Sequence, residues 1–348
     1  MRCRKSSEQA QNTSKPHGSS GITRSELDVL NRSLNIPPLY REGRSAQGVA
    51  IYTLFSRMCQ NANLDYNYLT TVFSSARDKL RRENMDELKQ DAARMCELAQ
   101  QHNIPMKVNK LTKDAIYGLA CLYREFVNNP EYKTVEFFHQ IIPADLREKK
   151  YYHGTDKEKN GIGIMQDEKI SAQTYDKNNY LTPVPGKAYL ATDAGYSLIY
   201  ALGGVLMGSE IPESWIKTNG RYGYIFEIDG TALDEIQPDE DAIGELIDKG
   251  LHQPVPELEW LYGLARRYLT PNELKKVKSG EFIYYAKTGK KLVSLMSDDE
   301  KFALIRYGAS VAHHGDVKPS GVYRIDKCRS KELAKDGSNL FEIAESIN

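Results

Sequence analysis

The sequence predicts an α+β protein in which an all-helical unit precedes a unit built on antiparallel sheet. From about Ser25 to Leu146, apolar residues recur with the spacing of amphipathic helices. From Lys149 onward, short runs rich in β-branched and aromatic residues alternate with turns that contain Gly and Pro. Helix-rich and strand-rich stretches that follow one another are typical of α+β folds or of separate domains.

The length supports two domains. The chain of 348 residues exceeds one typical domain. Residues 1–21 are rich in Ser, Gln, Asn and Gly and hold few large apolar side chains, which predicts a disordered lead. We expect a helical domain over 22–146, a sheet-containing domain over 147–335 and a polar tail over 336–348.

The helical domain is predicted to be a bundle of five or six helices. Capping residues precede several of its segments, and proline-containing breaks separate them. No motif in this domain points to chemistry. Leu27, Leu30 and Leu34 share one helix face, the expected caps are Ser25, Asn84 and Thr112, and the expected breaks lie at 35–38 and 103–105.

Six runs in the second domain have strand-like composition, and we expect them to form a mainly antiparallel core. Gly203 and Gly204 follow an apolar helix and predict its C-terminus. The acidic run 239–241 predicts a helix start, because acids favour the N-terminal end of the helix dipole. The expected strands cover residues 150–155, 188–192, 222–228, 258–262, 281–286 and 320–325.

Charge and cysteine content argue against several classes of function. The 47 basic and 47 acidic side chains balance, so no broad attraction to nucleic acid or to an anionic membrane is expected. The 5 cysteines are scattered and form no C-x-x-C pair, which argues against a disulfide framework and a zinc site. His252, His313 and His314 lack ligand spacing with nearby acids, so no metal site is predicted.

The sequence also bears on location. The first 16 residues carry positive charge without an apolar core, so a classical signal peptide is not predicted. The longest apolar run, 196–207, is shorter than the roughly 20 residues that cross a bilayer. We therefore expect no membrane partner. The expected location is the cytoplasm, or a target cell reached without a cleaved signal.

Two short motifs in the second domain suggest a binding site. The first is Y-H-G-T at 152–155, where a glycine beside His153 lets a flat ligand approach the backbone. The second places Tyr189 in a strand and Ser197 and Tyr200 on the following helix, one turn apart. Two tyrosine rings provide faces for stacking a planar ring. The combination predicts a cradle for an aromatic amide such as nicotinamide.

These motifs resemble those of the ADP-ribosyltransferase superfamily, in the branch shared by diphtheria-like toxins and poly(ADP-ribose) polymerases and marked by a His–Tyr–Glu triad. In that branch, as here, the two tyrosines stand eleven residues apart. The resemblance covers roughly residues 150–325. It implies a split antiparallel β-sheet domain that uses NAD as co-substrate and needs no metal.

The resemblance also implies roles for individual residues. His153 would bind and orient a ribose of NAD, and the backbone of Gly154, with Thr155 beside it, would hold the nicotinamide amide. Tyr189 and Tyr200 would stack on the ring, and Ser197 would hydrogen-bond the carboxamide. His153 and Tyr189 are thus the first two members of the triad.

The catalytic glutamate is expected near the start of a late strand. Glu259, followed by Trp, Leu and Tyr, is the preferred candidate, and Glu281 and Glu257 are alternatives. The E-x-E pair formed by Glu257 and Glu259 resembles the arginine-modifying branch, but the Arg and the Ser-Thr-Ser strand of that branch are not found. Cleavage of the nicotinamide–ribose bond develops positive charge on the sugar, and a close carboxylate stabilises it.

The expected activity is transfer of ADP-ribose from NAD to a macromolecular acceptor, by a toxin or effector. A protein side chain is the favoured acceptor, because the neutral charge provides no long basic groove. The alternatives are modification of an RNA or DNA base, hydrolysis of NAD, and an inactive binding fold. An RNA 2′-phosphotransferase shares the fold, but its arginine and histidine motifs cannot be placed. The helical domain is expected to recognise substrate, regulate the enzyme or dock a neutralising partner.

Overall fold

The computed structural model describes residues 45–62, 80, 82–104, 106–107, 109, 111–129, 138–172, 184–204, 209–334 and 337–347. Helices and strands are numbered here in chain order within those residues. The predicted lead, the leucine face at Leu27 to Leu34, the cap at Ser25 and the break at 35–38 lie outside the described residues.

Three helices of the first unit are described: α1 (Ala46–Asn61), α2 (Met85–Gln101) and α3 (Lys113–Asn128). The predicted caps at Asn84 and Thr112 are confirmed, since each side chain accepts a backbone N–H of the first helical turn. The apolar faces of the three helices form one buried core, which includes Leu54, Phe55, Met58, Leu88, Met95 and Leu122. The helical prediction is therefore confirmed for this part of the chain.

The second unit alternates short strands with helices. Its strands are β1 (Lys150–Thr155), β2 (Lys187–Leu190), β3 (Tyr222–Asp229), β4 (Ile236–Pro238), β5 (Val311–His314), β6 (Gly321–Asp326) and β7 (Glu345–Ile347). Its helices are α4 (Ala144–Arg147), α5 (Glu158–Asp167), α6 (Ala194–Ala201), α7 (Glu213–Asn219), α8 (Glu240–His252), α9 (Glu259–Tyr268), α10 (Pro271–Val277), α11 (Phe282–Val293), α12 (Asp298–Arg306) and α13 (Leu340–Ile343).

The strands form two antiparallel sheets. One has the order β1-β3-β6-β7 and the other the order β2-β5-β4. The sheets meet where Tyr152 and Ala191 exchange backbone hydrogen bonds of 2.9 and 2.7 Å. The predicted antiparallel core is therefore confirmed, and it is divided between two sheets that join at β1 and β2.

Two predicted strands are wrong. Residues 258–262 belong to a 3-10 turn and to α9, and residues 281–286 belong to α11 and the residue before it. Buried positions explain the difference: Leu258, Leu261 and Tyr262 recur at helical spacing, as do Tyr285, Thr288 and Leu292. Their β-prone composition is overridden by packing among α8, α9 and α11.

The predicted polar tail is also revised. Leu340 is buried, and β7 adds Glu345–Ile347 as the edge strand beside β6. Residues 345–347 are thus part of the first sheet. By contrast, the predicted end of α6 is confirmed, since Gly203 and Gly204 follow it with φ of +73° and +81°. Among the described helices, none is both long and apolar enough to cross a bilayer.

Candidate functional site

The junction of the two sheets brings together most of the predicted site residues. At this junction, His153 on β1 reaches across to β2, where its Nδ1 lies 3.0 Å from the backbone oxygen of Tyr189. The register of β1 with β3 places His153 opposite Phe226, so the ring is held beside the main sheet core. Thr155, at the end of β1, is buried on the same side of the strand.

The environment of His153 determines its protonation. Burial lowers the pKa of His153, and the hydrogen bond to Tyr189 opposes that shift only in part. The imidazole is therefore neutral at pH 7. Because a carbonyl oxygen only accepts, the proton must lie on Nδ1. The other nitrogen, Nε2, then has a lone pair that accepts a hydrogen bond from a hydroxyl group.

The side chain of Tyr189 leads to a buried carboxylate. Its hydroxyl donates to Oε2 of Glu240 at 3.1 Å and accepts the backbone N–H of Val184 at 2.9 Å. Burial and the charge of Glu240 both raise the pKa of Tyr189, so the phenol remains a donor. Glu240 is only 3% exposed and begins α8 directly after β4.

Two further side chains hold Glu240 in place. Its Oε1 accepts from Nζ of Lys187 at 2.7 Å and from Nε2 of Gln237 at 3.1 Å. Lys187 and Tyr189 are two residues apart on β2, so strand alternation puts both on the face that meets Glu240. Buried charges require partners of this kind, and Lys187 and Glu240 provide them for each other.

A second group forms where α6 crosses β1. The Asp193 side chain caps α6 by accepting the N–H groups of Gly195 and Tyr196. The helix then passes so close to β1 that a Cβ at Gly154 would lie 2.0 Å from the carbonyl oxygen of Ser197. Glycine is therefore required here by packing alone, whatever the site binds.

The backbone of Gly154 faces the gap between the sheets. Residues two apart on a strand point their N–H and C=O to the same edge. Since Tyr152 uses both groups to pair with Ala191, those of Gly154 point to the β2 side as well. The chain leaves β2 and enters α6 after Asp193, so no described strand pairs with Gly154 at this edge.

Ser197 and Tyr200 lie on the α6 side of this gap. Ser197 is 1% exposed, and its Oγ has no hydrogen-bond partner among the described residues. Tyr200 is 48% exposed and meets Tyr196 edge to face, with ring centroids 5.7 Å apart. An unpartnered buried hydroxyl is costly, and a ligand amide at the gap is one group that could satisfy it.

Strand alternation places the two groups on opposite faces of β1. His153 points to the side of the sheet core, whereas Gly154 faces α6. Both groups lie beside the β2-side edge of β1, on its two opposite faces. The charge of Asp239 contributes to raising the pKa of both Tyr189 and Tyr200, after desolvation as the main cause.

The pKa of Asp239 is also shifted. Burial raises its pKa well above the usual range, and the neighbouring carboxylates Asp241 and Glu240 raise it further. Asp239 also caps α8 by accepting the backbone N–H of Asp241. The prediction of a helix start at 239–241 is confirmed, and the first residue of this helix, Glu240, accepts a hydrogen bond from Tyr189.

The predicted glutamates lie in helical segments. Glu259 is the first residue of α9; its side chain is 58% exposed and accepts from Arg266 at 2.8 Å. Glu281 precedes α11, and Glu257 lies in an exposed 3-10 turn. No described contact links any of the three to His153 or Tyr189. The strand that was expected to carry the catalytic glutamate is therefore wrong, because those residues form helical segments.

Glu240 and Lys187 are the site residues that the sequence did not reveal. Their signal was weak: Lys187 stands two residues before Tyr189, and Glu240 lies in an acidic run typical of a solvated helix start. Within the described ranges, no group of three or more His, Cys, Asp or Glu side chains is arranged to hold a metal ion. His313, for example, bonds Asp234 and the carbonyl of Gly315.

Comparisons with known proteins found no match. No protein-family model matches the chain, no curated protein matches it, and no solved structure matches it.

Proposed function

We propose that this protein is an NAD-dependent ADP-ribosyltransferase, which cleaves the nicotinamide–ribose bond and transfers ADP-ribose to a macromolecular acceptor. The main observation in support of the proposal is the open edge of β1. There, His153 meets β2, and Gly154 meets the helix that bears Ser197 and Tyr200. These are the residues, in the spacing, by which the sequence resembles the His–Tyr–Glu branch of that superfamily.

The junction has groups that suit a nicotinamide. The backbone N–H and C=O of Gly154 point into the gap and match the acceptor and donor of a carboxamide. The unpartnered Oγ of Ser197 provides a third polar group, and the exposed ring of Tyr200 provides a stacking face. On the other face of β1, the Nε2 lone pair of His153 is suited to accept from a ribose hydroxyl.

We assign the role of the triad carboxylate to Glu240 in place of Glu259. A carboxylate near the sugar stabilises the positive charge that develops when nicotinamide leaves. Glu240 is the carboxylate hydrogen-bonded to Tyr189, and Lys187 and Gln237 fix its orientation. Such preorganisation is what electrostatic stabilisation requires, because the group need not reorient during the reaction.

The acceptor is proposed to be a protein side chain. The balanced 47 basic and 47 acidic side chains provide no long basic groove for a nucleic acid. From the resemblance, we propose that the protein acts as a toxin or effector.

The test is release of nicotinamide from NAD by purified protein, with separation of free ADP-ribose from label attached to macromolecules. We expect His153→Ala and Glu240→Gln to abolish release, and Glu259→Gln to leave it unchanged. Label that resists protease but is lost with nuclease would indicate a nucleic-acid acceptor, and free ADP-ribose alone would indicate hydrolysis. Absence of both NAD binding and nicotinamide release would overturn the proposal.

A further inference from the structure

The outer edge of β4 is covered by the helical unit. β4 is an edge strand, and the residues on either side of Ile236 direct their backbone groups toward β5, as shown by the 3.1 Å bond from His314 N to Glu235 O. Ile236 therefore points its N–H and C=O outward. The side-chain amide of Gln140 binds both: Oε1 accepts the N–H at 2.8 Å, and Nε2 donates to the C=O at 3.0 Å.

Arg57 of α1 also binds the second unit close to β4. Its Nε donates to Oδ2 of Asp298 at 2.7 Å, and its Nη1 donates to Oε1 of Glu235. Nη1 also donates to the carbonyl of Phe138 at 3.2 Å, next to the segment that carries Gln140. The Arg57 side chain is 4% exposed, so these contacts are made away from water.

Asp298 is bound by both Arg57 and Gln140. Besides its pair with Arg57, its Oδ1 accepts from Nε2 of Gln140 at 3.2 Å. Burial alone would raise the pKa of Asp298, but the charges of Arg57 and Lys301 outweigh it and hold the pKa below its ordinary value. The carboxylate therefore remains charged and bound to both side chains. We call Arg57, Gln140, Glu235 and Asp298 the clasp.

The clasp lies next to the proposed catalytic carboxylate along the chain. Glu235 and Ile236 begin the segment that continues through Gln237 to Glu240, and Gln237 itself donates to Glu240. Three residues, 237–239, lie between Ile236 and Glu240. A shift of β4 at its outer edge is thus transmitted to the first turn of α8 over a short stretch of backbone.

We propose that Arg57 and Gln140 are positioning residues, which dock the helical unit on β4 and thereby hold Glu240 against Tyr189. The inference rests on the proposed function, because it assigns the helical unit a part in the same site. The unit would then complete the enzyme, and it would not serve only to recognise an acceptor. Displacement of Glu240 by about 1 Å would suffice to lower turnover strongly.

The decisive variant is Gln140→Met in the full-length chain, which keeps the side-chain length and removes the three hydrogen bonds. We expect kcat for nicotinamide release to fall about tenfold or more, with the KM for NAD nearly unchanged. Hydrogen exchange at the Ile236 amide should accelerate, because that N–H loses its partner. A side chain needed only for stability would lower the melting temperature and leave kcat of the folded protein unchanged.

Arg57→Met and Arg124→Met form a matched pair. Arg124 also pairs with two carboxylates, Glu83 and Asp91, but all three belong to the helical unit. We expect Arg57→Met to reduce kcat and Arg124→Met to leave it unchanged. Equal kcat in wild type, Gln140→Met and Arg57→Met would overturn the inference.

Failure of the proposed function is distinguishable from failure of the clasp. If wild-type protein releases no nicotinamide, hydrogen exchange still reports on the arrangement. Faster exchange at Ile236 together with faster exchange in the first turn of α8 in Gln140→Met would support the coupling of the clasp to Glu240. Faster exchange at Ile236 with unchanged exchange in that turn, or no change at either place, would overturn it.

Discussion

The first turns of α8 and α9 each begin with a glutamate, yet the two residues have opposite environments. Glu240 on α8 is buried and bound to Lys187 and Tyr189. Glu259 on α9 is mostly exposed and pairs with Arg266 on the surface of its own helix. Both satisfy the same local preference for acids at helix N-termini. The local preference for acids therefore explains why a glutamate begins each helix. Whether that glutamate is buried and paired depends on the sheet that packs against the helix.

The largest expected effect separates these two glutamates by activity. Glu240→Gln should reduce nicotinamide release by at least about 100-fold, since it removes the preorganised charge. It also leaves the buried ammonium of Lys187 without a charged partner. Glu240→Gln combined with Lys187→Met should therefore recover much of the stability but none of the activity, as judged by urea unfolding and nicotinamide release. Full activity in either protein would contradict the assignment.

The next effect concerns stability. Lys187→Met leaves Glu240 buried without its cation, and removal of one partner from a buried ion pair costs about 3–5 kcal/mol. The corresponding change near Glu259, Arg266→Met, should cost no more than about 1 kcal/mol, because that pair is exposed. Urea unfolding of the two variants measures the difference. Similar losses would mean that burial does not distinguish the two pairs.

Gly154→Ala tests the packing beside the junction. The added Cβ would meet the backbone of α6 at 2.0 Å, so β1 and α6 must separate. Overpacking of this kind costs about 1–3 kcal/mol. Gly163→Ala is the control, because a Cβ there meets nothing within 4 Å. Thermal unfolding should show a lower midpoint for Gly154→Ala, and equal midpoints would contradict the described packing.

A pH series extends the comparison to Glu235, a third acid that is buried beside a cation. Burial raises the pKa of Glu235 to about 7 from an ordinary value of 4.5, and Arg57 only partly opposes the shift. Between these pH values, the native state retains a proton that the unfolded state has lost. The free energy of unfolding should therefore fall as pH rises through this window, by on the order of 1–3 kcal/mol from this group.

Glu235→Gln serves as the control for that series. An amide does not titrate, so the slope between pH 4.5 and 7 should become smaller. Asp298 has the opposite effect on the pH dependence of stability. Because its pKa in the folded protein is lowered, its contribution to the free energy of unfolding is lost only as the pH falls below 3.8, the ordinary pKa of Asp. Urea unfolding at several pH values measures both slopes. An unchanged slope in Glu235→Gln would exclude Glu235 as its source.

The smallest effect is expected at Glu259 itself. Glu259→Gln should change the free energy of unfolding by less than about 1 kcal/mol, because exposed ion pairs contribute little. Nicotinamide release should equal that of wild type. A large loss of activity would restore Glu259 as the catalytic candidate and would remove the distinction between α8 and α9.

Much of the architecture was predictable from local pattern. β1 has the predicted bounds, β3 extends one residue beyond its predicted end, β6 is shifted by one residue at both ends, and Asn84 and Thr112 cap helices as expected. The short strands β4, β5 and β7 were missed, since three or four residues hold too little periodicity to detect. Residues 258–262 and 281–286 were assigned to strands because aromatic and branched residues favour both strands and buried helix faces.

The sequence by itself determined the order of elements and the spacing of His153, Gly154, Tyr189, Ser197 and Tyr200, because capping, periodicity and turn chemistry act over a few residues. Only the tertiary structure decided which acid joins Tyr189 and which side chains of the helical unit bind β4. Glu240 and Tyr189 are 51 residues apart, and Gln140 and Ile236 are 96 apart. Contacts over such separations depend on how the sheets and helices pack, and local pattern carries no record of them.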